Sequence, residues 1–219
     1  QLHSISTSGG LSGVLHGRSA GFAEASTDTA AVLAEPAINT VAIVTRHDLH
    51  AAFVRKSLEA GKHTFVEKPL ALTHDEVSAV ETAWKARQSG GKPVLLMVGF
   101  NRRFSPLTIK MKELLDSQVE PKSFIMTVNA GAIPPESWVQ GDAGGGRIVG
   151  EACHFIDLMR FFAGSPILSV QGRRMGDTQT TPVTEDKAVI VLGFADGSFG
   201  TIHYLARAQR KRPGKPGKR

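Results

Sequence analysis

Residues 41–69 read VAIVTRHDLHAAFVRKSLEAGKHTFVEKP and contain two short apolar runs with a helical segment between them. The first run, 41–44, is followed by Asp48, which predicts a helix N-cap, and the helix is expected to close at Gly61. The second run is 63–66. The order strand, helix, strand is typical of a parallel sheet with a crossover helix.

The same alternation continues toward residue 103. Thr73 and Glu76 are three residues apart and predict a capping box at the start of the next helix. The apolar run 94–98 then leads to Ser105-Pro106, an N-cap followed by proline at the first helical position. These units predict an α/β fold with an incomplete Rossmann-type parallel sheet.

After about residue 120 the pattern becomes richer in strands. Asp196-Gly197 lies between two alternating runs and predicts a tight hairpin. Residues 148–162 predict a helix that stops at Gly164. The predicted strands are 124–128, 188–194 and 199–205. This half is expected to be an α+β domain with a mainly antiparallel sheet.

Three segments follow from these patterns. Residues 1–103 are interpreted as a partial dinucleotide-binding domain, 104–206 as a partial substrate and oligomerisation domain, and 207–219 as a disordered basic tail. The tail holds seven of the 26 basic residues and none of the 20 acidic ones, so 19 basic residues face 20 acidic ones in the rest of the chain. The body is therefore not a basic surface, and we expect no specific nucleic-acid partner. Nonspecific contact of the tail with RNA or an anionic membrane remains open.

Membrane and secretory classes are not favoured. The longest apolar runs have the length of strands rather than the ~20 residues that cross a bilayer. The N-terminus has no basic region followed by an apolar one. One cysteine, Cys153, fits a reducing compartment, so we expect a cytoplasmic protein without a membrane partner.

Polar side chains follow each strand of the first half. In a parallel sheet, ligands bind where the carboxyl ends of the strands meet the helix starts. Loops are polar in general, so this arrangement alone does not establish a site. The residues at these ends are Thr45, Arg46, His47, His50, Glu67, Lys68, Asn101, Arg102 and Arg103.

Three motifs carry a resemblance to a known family. Glu67-Lys68-Pro69, then Gly99-Phe100-Asn101-Arg102-Arg103-Phe104, then Gly144-Gly145-Gly146 with His154 and Asp157 downstream, resemble the Gfo/Idh/MocA oxidoreductases in order and spacing. The likeness extends from about residue 1 to 205. The chain looks closest to members that are fused to a zinc-type alcohol dehydrogenase.

The resemblance implies NAD or NADP as cofactor and hydride transfer on a sugar, cyclitol or sugar nucleotide. It implies that Lys68 lies beside the nicotinamide and that His154 acts as acid or base. Histidine suits that role because its ordinary pKa lies near working pH, and an ammonium stabilises a developing alkoxide. The implied cofactor contacts are Thr7, Thr45, His50, Glu67, Lys68, Asn101 and Arg103, and the implied substrate contacts are Lys68, Arg147, His154 and Asp157. A homo-oligomer is implied for the full-length protein.

His154 has a structural alternative, because it lies among apolar residues of the predicted helix and could be a core histidine. The family commonly places an aspartate four residues before this histidine, and here that position is Gly150. The neighbouring Glu151 would point about 100° away on an α-helix. Asp157, at i+3 from His154, is the candidate substitute.

The phosphate-binding fingerprint is missing from this chain. Gly9-Gly10-x-x-Gly13 has the wrong spacing for Gly-x-Gly-x-x-Gly and predicts a turn before a helix, after what would be the second strand of the fold, 2–5. We therefore expect a first crossover unit to precede Gln1. That strand ends in Ser6-Thr7 rather than in an acid for the adenosine ribose, so NAD and NADP stay equally open.

Two competing interpretations remain. His47-x-x-His50 has helical metal-ligand spacing, but a metal site needs three or four ligands and no further ligands are apparent, so no metal is predicted. The alternative function is a non-catalytic remnant or partner-binding module that lacks the phosphate-binding turn.

Overall fold

Two compact units make up the chain. The computed structural model describes residues 1–134, 136–176 and 187–206. The first unit runs from Gln1 to Gly99, and the second begins at Phe100. The basic tail predicted at 207–219 lies outside the described residues.

The first unit consists of parallel strands joined by helices. β1 pairs in parallel with β2, and β3, β4 and β5 form a second parallel sheet in that order. This architecture confirms the predicted Rossmann-type sheet, although the sequence patterns did not separately predict β2 or α2. The elements are β1 (Ser4–Ser6), α1 (Gly10–Ala20), β2 (Glu24–Ser26), α2 (Thr29–Ala34), β3 (Thr40–Ile43), α3 (His47–Glu59), β4 (His63–Val66), α4 (His74–Ser89) and β5 (Leu96–Val98).

The core of the first unit joins α3 and α4 to the larger sheet. Val54 and Leu58 lie one turn apart on α3 and are completely buried. They belong to the same apolar cluster as Val66 of β4 and Val80 of α4. Each such side chain contributes about 1.5–3 kcal/mol through burial, which holds the helices on the strands.

Helix ends were predicted with mixed success. The capping box is confirmed, because the Glu76 amide donates to Thr73 Oγ1 at 3.2 Å and the Thr73 amide donates to Glu76 Oε2 at 3.1 Å. The prediction of Asp48 as an N-cap was wrong. α3 begins at His47 with Arg46 as N-cap, since the Leu49 amide already bonds the Arg46 carbonyl at 3.1 Å. Asp48 lies in the first turn instead, where a carboxylate favours the helix dipole.

The second unit packs one long helix on a four-stranded sheet. The strand order is β6-β9-β8-β7, with β6 and β9 parallel and the other pairs antiparallel. The mostly antiparallel sheet and the β8–β9 hairpin confirm the predicted α+β domain, whereas β7 was not predicted. The elements are a 3₁₀ helix (Asn101–Phe104), α5 (Pro106–Asp116), β6 (Ser123–Asn129), a 3₁₀ helix (Trp138–Gln140), a π-helical turn (Ile148–Ala152), α6 (Cys153–Ala163), β7 (Ile167–Arg174), β8 (Lys187–Phe194) and β9 (Phe199–Leu205).

Gly200 lets α6 approach the sheet. A Cβ atom at Gly200 would lie 2.9 Å from Phe124 Cβ and 3.0 Å from Met159 Cε. Met159 is fully buried in a cluster with Leu192 and Ile202. A side chain at Gly200 would therefore push the helix off the strands that support it.

Candidate active site

The carboxyl ends of β3 and β4 bring predicted site residues to one edge of the sheet. Ile43 pairs with Val66, and Val66 pairs with Val98, so the three parallel strands end side by side. Thr45 follows β3 and is exposed, and Glu67 follows β4 and is half-buried. The structure thus brings both residues to the edge where parallel sheets bind ligands.

Lys68 is the next residue along the same edge. Its side chain is half-buried, and its backbone amide donates to Glu67 Oε2 at 3.3 Å. The Lys68–Pro69 peptide bond is cis. Lys68 therefore occupies the end of a central strand, beside a carboxylate that its own backbone helps to orient.

His50 is fully buried in the second turn of α3 and contacts two backbone carbonyls. Its Nδ1 lies 2.7 Å from the Pro69 oxygen, and its Nε2 lies 3.0 Å from the Thr45 oxygen. Both ring nitrogens are thereby engaged with the protein. A direct contact of His50 with a cofactor stays a prediction, and these distances favour an indirect role.

Gly99 closes the edge at the end of β5. A Cβ atom there would lie 3.0 Å from Phe65 Cζ and 3.2 Å from Glu67 Oε1. A side chain would consequently crowd the Glu67 carboxylate. This contact explains why a glycine suits the first position of the motif that continues into Phe100 and Asn101.

The end of β1 forms the turn that was predicted before α1. Thr7 Oγ1 donates to the Gly9 carbonyl at 2.8 Å, and Gly9 is the N-cap of the helix. A Cβ atom at Gly13 would lie 2.7 Å from Thr7 Oγ1, so this glycine packs the helix against the strand end. The Thr7 hydroxyl serves the turn, and its contact with a cofactor stays a prediction.

In the second unit, His154 lies in the first turn of α6 and is 6% exposed. The Phe100 ring meets it edge-on, with the ring centroids 6.1 Å apart. Nδ1 of His154 is itself a buried atom. The catalytic role of His154 stays a prediction.

Asp157 and Arg103 bind each other. Arg103 Nε donates to Asp157 Oδ2 at 3.0 Å, and an Nη of the same guanidinium also contacts Asp157 Oδ1. The guanidinium carbon lies 5.4 Å from the centroid of the Phe161 ring. The predicted substrate residue and the predicted cofactor residue therefore form one partly buried ion pair in this structure.

Arg147 is buried and anchors a loop. Its two Nη atoms donate to the carbonyls of Gly131 and Ala130, at 2.5 and 3.1 Å, and its guanidinium lies 5.6 Å from the Tyr204 ring centroid. These contacts fix the chain that leaves β6. A direct contact of Arg147 with substrate stays a prediction.

The segment before His154 is not an ordinary α-helix. Residues Ile148–Ala152 form a π-helical turn, in which the backbone bonds run from i to i+5. The rotation of about 100° between Gly150 and Glu151 assumes α-helical geometry and does not hold across this turn. Gly145 and Gly146, with φ of 70° and 76°, allow the tight bend that precedes it.

Sequence reasoning missed Lys62, which is buried next to β4. Its Nζ donates to the carbonyls of Glu35 and Ile38, at 2.7 and 2.6 Å. Both carbonyls belong to the loop that follows α2, so the lysine provides their hydrogen-bond donor. A lysine after a helix-ending glycine, Gly61, gives no local signal of such burial. The partners lie 24 and 27 residues away in sequence, so only the tertiary fold reveals them.

Surface grooves do not by themselves locate the site. A groove of about 680 Å³ lies against α3 and α4 and is lined by none of the predicted site residues. A smaller groove in the second unit, about 410 Å³, includes Arg103 and Phe161.

Within the described ranges, no group of three or more His, Cys, Asp and Glu side chains could hold a metal. In the same part of the chain, no helix has the length and apolar character needed to cross a membrane.

Comparison with known proteins connects these residues to a family. Residues 16–100 match the model of the Gfo/Idh/MocA "oxidoreductase family, NAD-binding Rossmann fold", and residues 109–215 match that of the Gfo/Idh/MocA C-terminal domain. The scyllo-inositol 2-dehydrogenase (NAD(+)) of Bacillus subtilis is 32% identical over 193 residues, which are 84% of this chain and 54% of the relative. The levoglucosan dehydrogenase of Pseudarthrobacter phenanthrenivorans is 28% identical, over 86% of this chain and 54% of its own length.

A solved structure agrees with these matches. Levoglucosan dehydrogenase in complex with NADH and levoglucosan superposes with a TM-score of 0.79 at 26% identity, over 97% of this chain and 59% of that one. The chain spans about half the length of the curated relatives that it matches. The predicted fusion to a zinc-type alcohol dehydrogenase stays a prediction. The chain belongs to the Gfo/Idh/MocA oxidoreductases, a family of NAD(P)-dependent dehydrogenases.

Proposed function

We propose that this chain forms the nicotinamide side and part of the substrate side of an NAD(P)-dependent dehydrogenase. The enzyme transfers a hydride to or from a secondary alcohol or keto group of a sugar, cyclitol or sugar nucleotide. Two relatives are named for scyllo-inositol and levoglucosan, which are a cyclitol and a sugar derivative.

One observation carries the proposal. Lys68 directly follows the strand-end residue Glu67 at the edge that also holds Thr45, in a unit that matches an NAD-binding family. The hydroxyl of Thr45, the carboxylate of Glu67 and the ammonium of Lys68 offer donors and acceptors for the hydroxyl and carboxamide groups of a nicotinamide ribonucleotide. This set of side chains fits the cofactor.

In the proposed reaction, the protein handles charge and protons. A bound nicotinamide would accept or return the hydride. Lys68 stabilises the negative charge that develops on the substrate oxygen. His154 takes the hydroxyl proton during oxidation and returns it during reduction. Because Nδ1 of His154 is buried, we assign this proton to Nε2.

The remaining predicted site residues have supporting roles in this proposal. Asn101 keeps its predicted role as a cofactor contact. Arg103 and Asp157 act as a pair, in which the arginine orients the carboxylate one turn from His154. Arg147 acts through the loop that it anchors. A cytoplasmic location and a homo-oligomer remain predictions.

The first experiment measures binding and turnover with this chain. Calorimetry with NADH and with NADPH tests the cofactor, and the absorbance of the reduced dinucleotide follows oxidation of myo-inositol, scyllo-inositol, levoglucosan and D-xylose. We expect one dinucleotide to bind and at least one compound of this set to be oxidised. Because this chain lacks the glycine fingerprint of the phosphate-binding turn, the measurements are repeated with the chain joined to the N-terminal crossover unit of a family relative. Absence of binding and turnover in that form would contradict the proposal and favour a non-catalytic or partner-binding module.

The second experiment compares two lysines that both precede a proline. Lys68→Ala is expected to lower kcat about a hundredfold or more, because the charge on the substrate oxygen loses its partner. Lys92→Ala is the matched control, since Lys92-Pro93 is exposed and precedes β5 instead of following a strand. Equal activity of the two variants would remove Lys68 from the reaction.

A further inference from the structure

We infer that His50 is a positioning residue, which fixes the backbone on both sides of the Lys68 edge by bonding the carbonyls of Thr45 and Pro69. This inference rests on the proposed function, because that function gives the position of Lys68 its importance. It assigns His50 an indirect role in place of a direct contact with the cofactor.

The geometry of His50 supports a bridge between two loops. The ring lies in α3 and has no exposed surface, while Thr45 follows β3 and Pro69 follows β4. Its two nitrogens lie 3.0 and 2.7 Å from the carbonyl oxygens of these two residues. One side chain therefore holds the exits of two neighbouring strands at a fixed separation.

The chemistry of the ring limits what else it can do. A backbone carbonyl accepts hydrogen bonds and cannot donate them. A neutral imidazole donates to one of the two carbonyls, and a doubly protonated imidazole donates to both. The proposed bridge uses a proton on each nitrogen, one for each carbonyl, so the effect of His50 on a ligand passes through these loops.

Pro69 makes the link to Lys68 short. The carbonyl that His50 holds belongs to the residue directly after Lys68, and the Lys68 amide in turn contacts Glu67 Oε2. Backbone movement at Pro69 would shift the Lys68 side chain by a comparable amount. A displacement of about 1 Å in a catalytic group can cost about a hundredfold in rate.

Two substitutions distinguish the hydrogen bond to the Pro69 carbonyl from the hydrogen bond to the Thr45 carbonyl. His50→Asn keeps an amide donor near the position of Nδ1, which faces Pro69. His50→Gln keeps an amide donor near the position of Nε2, which faces Thr45. The two variants replace the same buried ring by similar amides, so each serves as the control for the other.

The first readout is the amide NMR spectrum of this chain without cofactor. The amide of Leu70 shares its peptide unit with the Pro69 carbonyl, and the amide of Arg46 shares its unit with the Thr45 carbonyl. We expect His50→Asn to move the Arg46 signal and preserve that of Leu70, and His50→Gln to do the reverse. The group that loses its partner in each case is a carbonyl, so the shift of the amide in the same peptide unit is the readout, and hydrogen exchange elsewhere in the first unit should stay as in the unsubstituted chain.

Ser57→Ala is a matched control on the same helix. Ser57 is also fully buried and accepts a hydrogen bond from Thr64 Oγ1 at 2.8 Å. Its loss should leave the Arg46 and Leu70 signals in place. If both His50 variants instead accelerate exchange evenly throughout the first unit, His50 is a general core residue and the inference is overturned.

The second readout is catalysis. If Lys68 is positioned through Pro69, His50→Asn should retain more of the wild-type kcat than His50→Gln, with a smaller difference in KM. Equal kcat values would overturn the link from His50 to Lys68. The amide pattern is measured without cofactor, so it can hold while Lys68→Ala remains active, and failure of the proposed function is then recognised separately.

Discussion

Arg103 and Asp157 join the 3₁₀ helix at the start of the second unit to α6. Arg103 Nε lies 3.0 Å from Asp157 Oδ2, and a second guanidinium nitrogen contacts the other carboxylate oxygen. The Asp157 side chain is 9% exposed, and that of Arg103 is 27% exposed. A carboxylate with so little solvent depends on its arginine for charge compensation.

Removing that arginine should weaken the second unit. We expect Arg103→Ala to lower the free energy of unfolding by about 2 kcal/mol, because it strips charged hydrogen bonds from a buried carboxylate. The chain has two tryptophans, Trp84 in the first unit and Trp138 in the second. Urea denaturation in a Trp84→Phe background therefore reports the second unit through Trp138 fluorescence.

Arg102→Ala supplies the control for this experiment. Arg102 is exposed and lies 4.6 Å from the Phe155 ring centroid, a contact that contributes about 0.5–1 kcal/mol. Equal losses for the two arginine variants would mean that the ion pair adds nothing beyond side-chain packing.

We expect a side chain at position 99 to crowd the candidate site. Gly99→Ala would bring a methyl group to 3.0 Å from Phe65 and 3.2 Å from Glu67, and we expect a loss of about 1–3 kcal/mol from overpacking. Trp84 fluorescence during urea denaturation measures it. Gly10→Ala is the control, because its nearest neighbour would be 3.6 Å away. A Gly99→Ala protein as stable as Gly10→Ala would show that the Glu67 side chain moves aside without cost.

Local patterns allowed much of the fold to be predicted. The Thr73–Glu76 capping box involves residues within one turn, so the sequence contains the whole interaction. The Asp196-Gly197 hairpin likewise depends on a turn whose residues are adjacent. The start of α3 was misplaced because Asp48 fits both an N-cap and a first-turn position, and the local pattern does not distinguish them.

The long-range contacts of the site were beyond sequence reasoning. Arg103 and Asp157 are 54 residues apart, so no local pattern indicates their contact, and the family resemblance implied a ligand for each of them. His50 and Arg147 were likewise expected to touch ligands, whereas both hold backbone carbonyls. The internal contacts of such residues follow only from the tertiary fold, and their contacts with ligands stay predictions.

We expect removal of the Lys62 ammonium to destabilise the first unit. Lys62→Met keeps the length of the side chain but removes the ammonium that bonds the Glu35 and Ile38 carbonyls. A buried carbonyl and a partly buried one without donors should together cost about 2 kcal/mol. The measurement is urea denaturation followed by Trp84 fluorescence. Lys56→Met, at an exposed position of α3, should change the free energy of unfolding by less than about 0.5 kcal/mol.

We expect the stability of the β8–β9 hairpin to depend on pH through the carboxyl group of Asp196. A hydrogen bond from Ser198 Oγ to Oδ2, at 2.8 Å, lowers the pKa of Asp196 below its ordinary value of 3.8, and the Ser198 amide adds a bond to Oδ1 at 3.1 Å. Because the folded-state pKa is the lower one, the stabilisation is fully present above pH 3.8 and is lost as pH falls through the folded value. The shift of the Ser198 amide proton, followed by NMR from neutral pH downward, should titrate with a midpoint below 3.8. Asp196→Asn cannot titrate and should abolish this transition, and a wild-type midpoint at or above 3.8 would contradict the assignment of these hydrogen bonds.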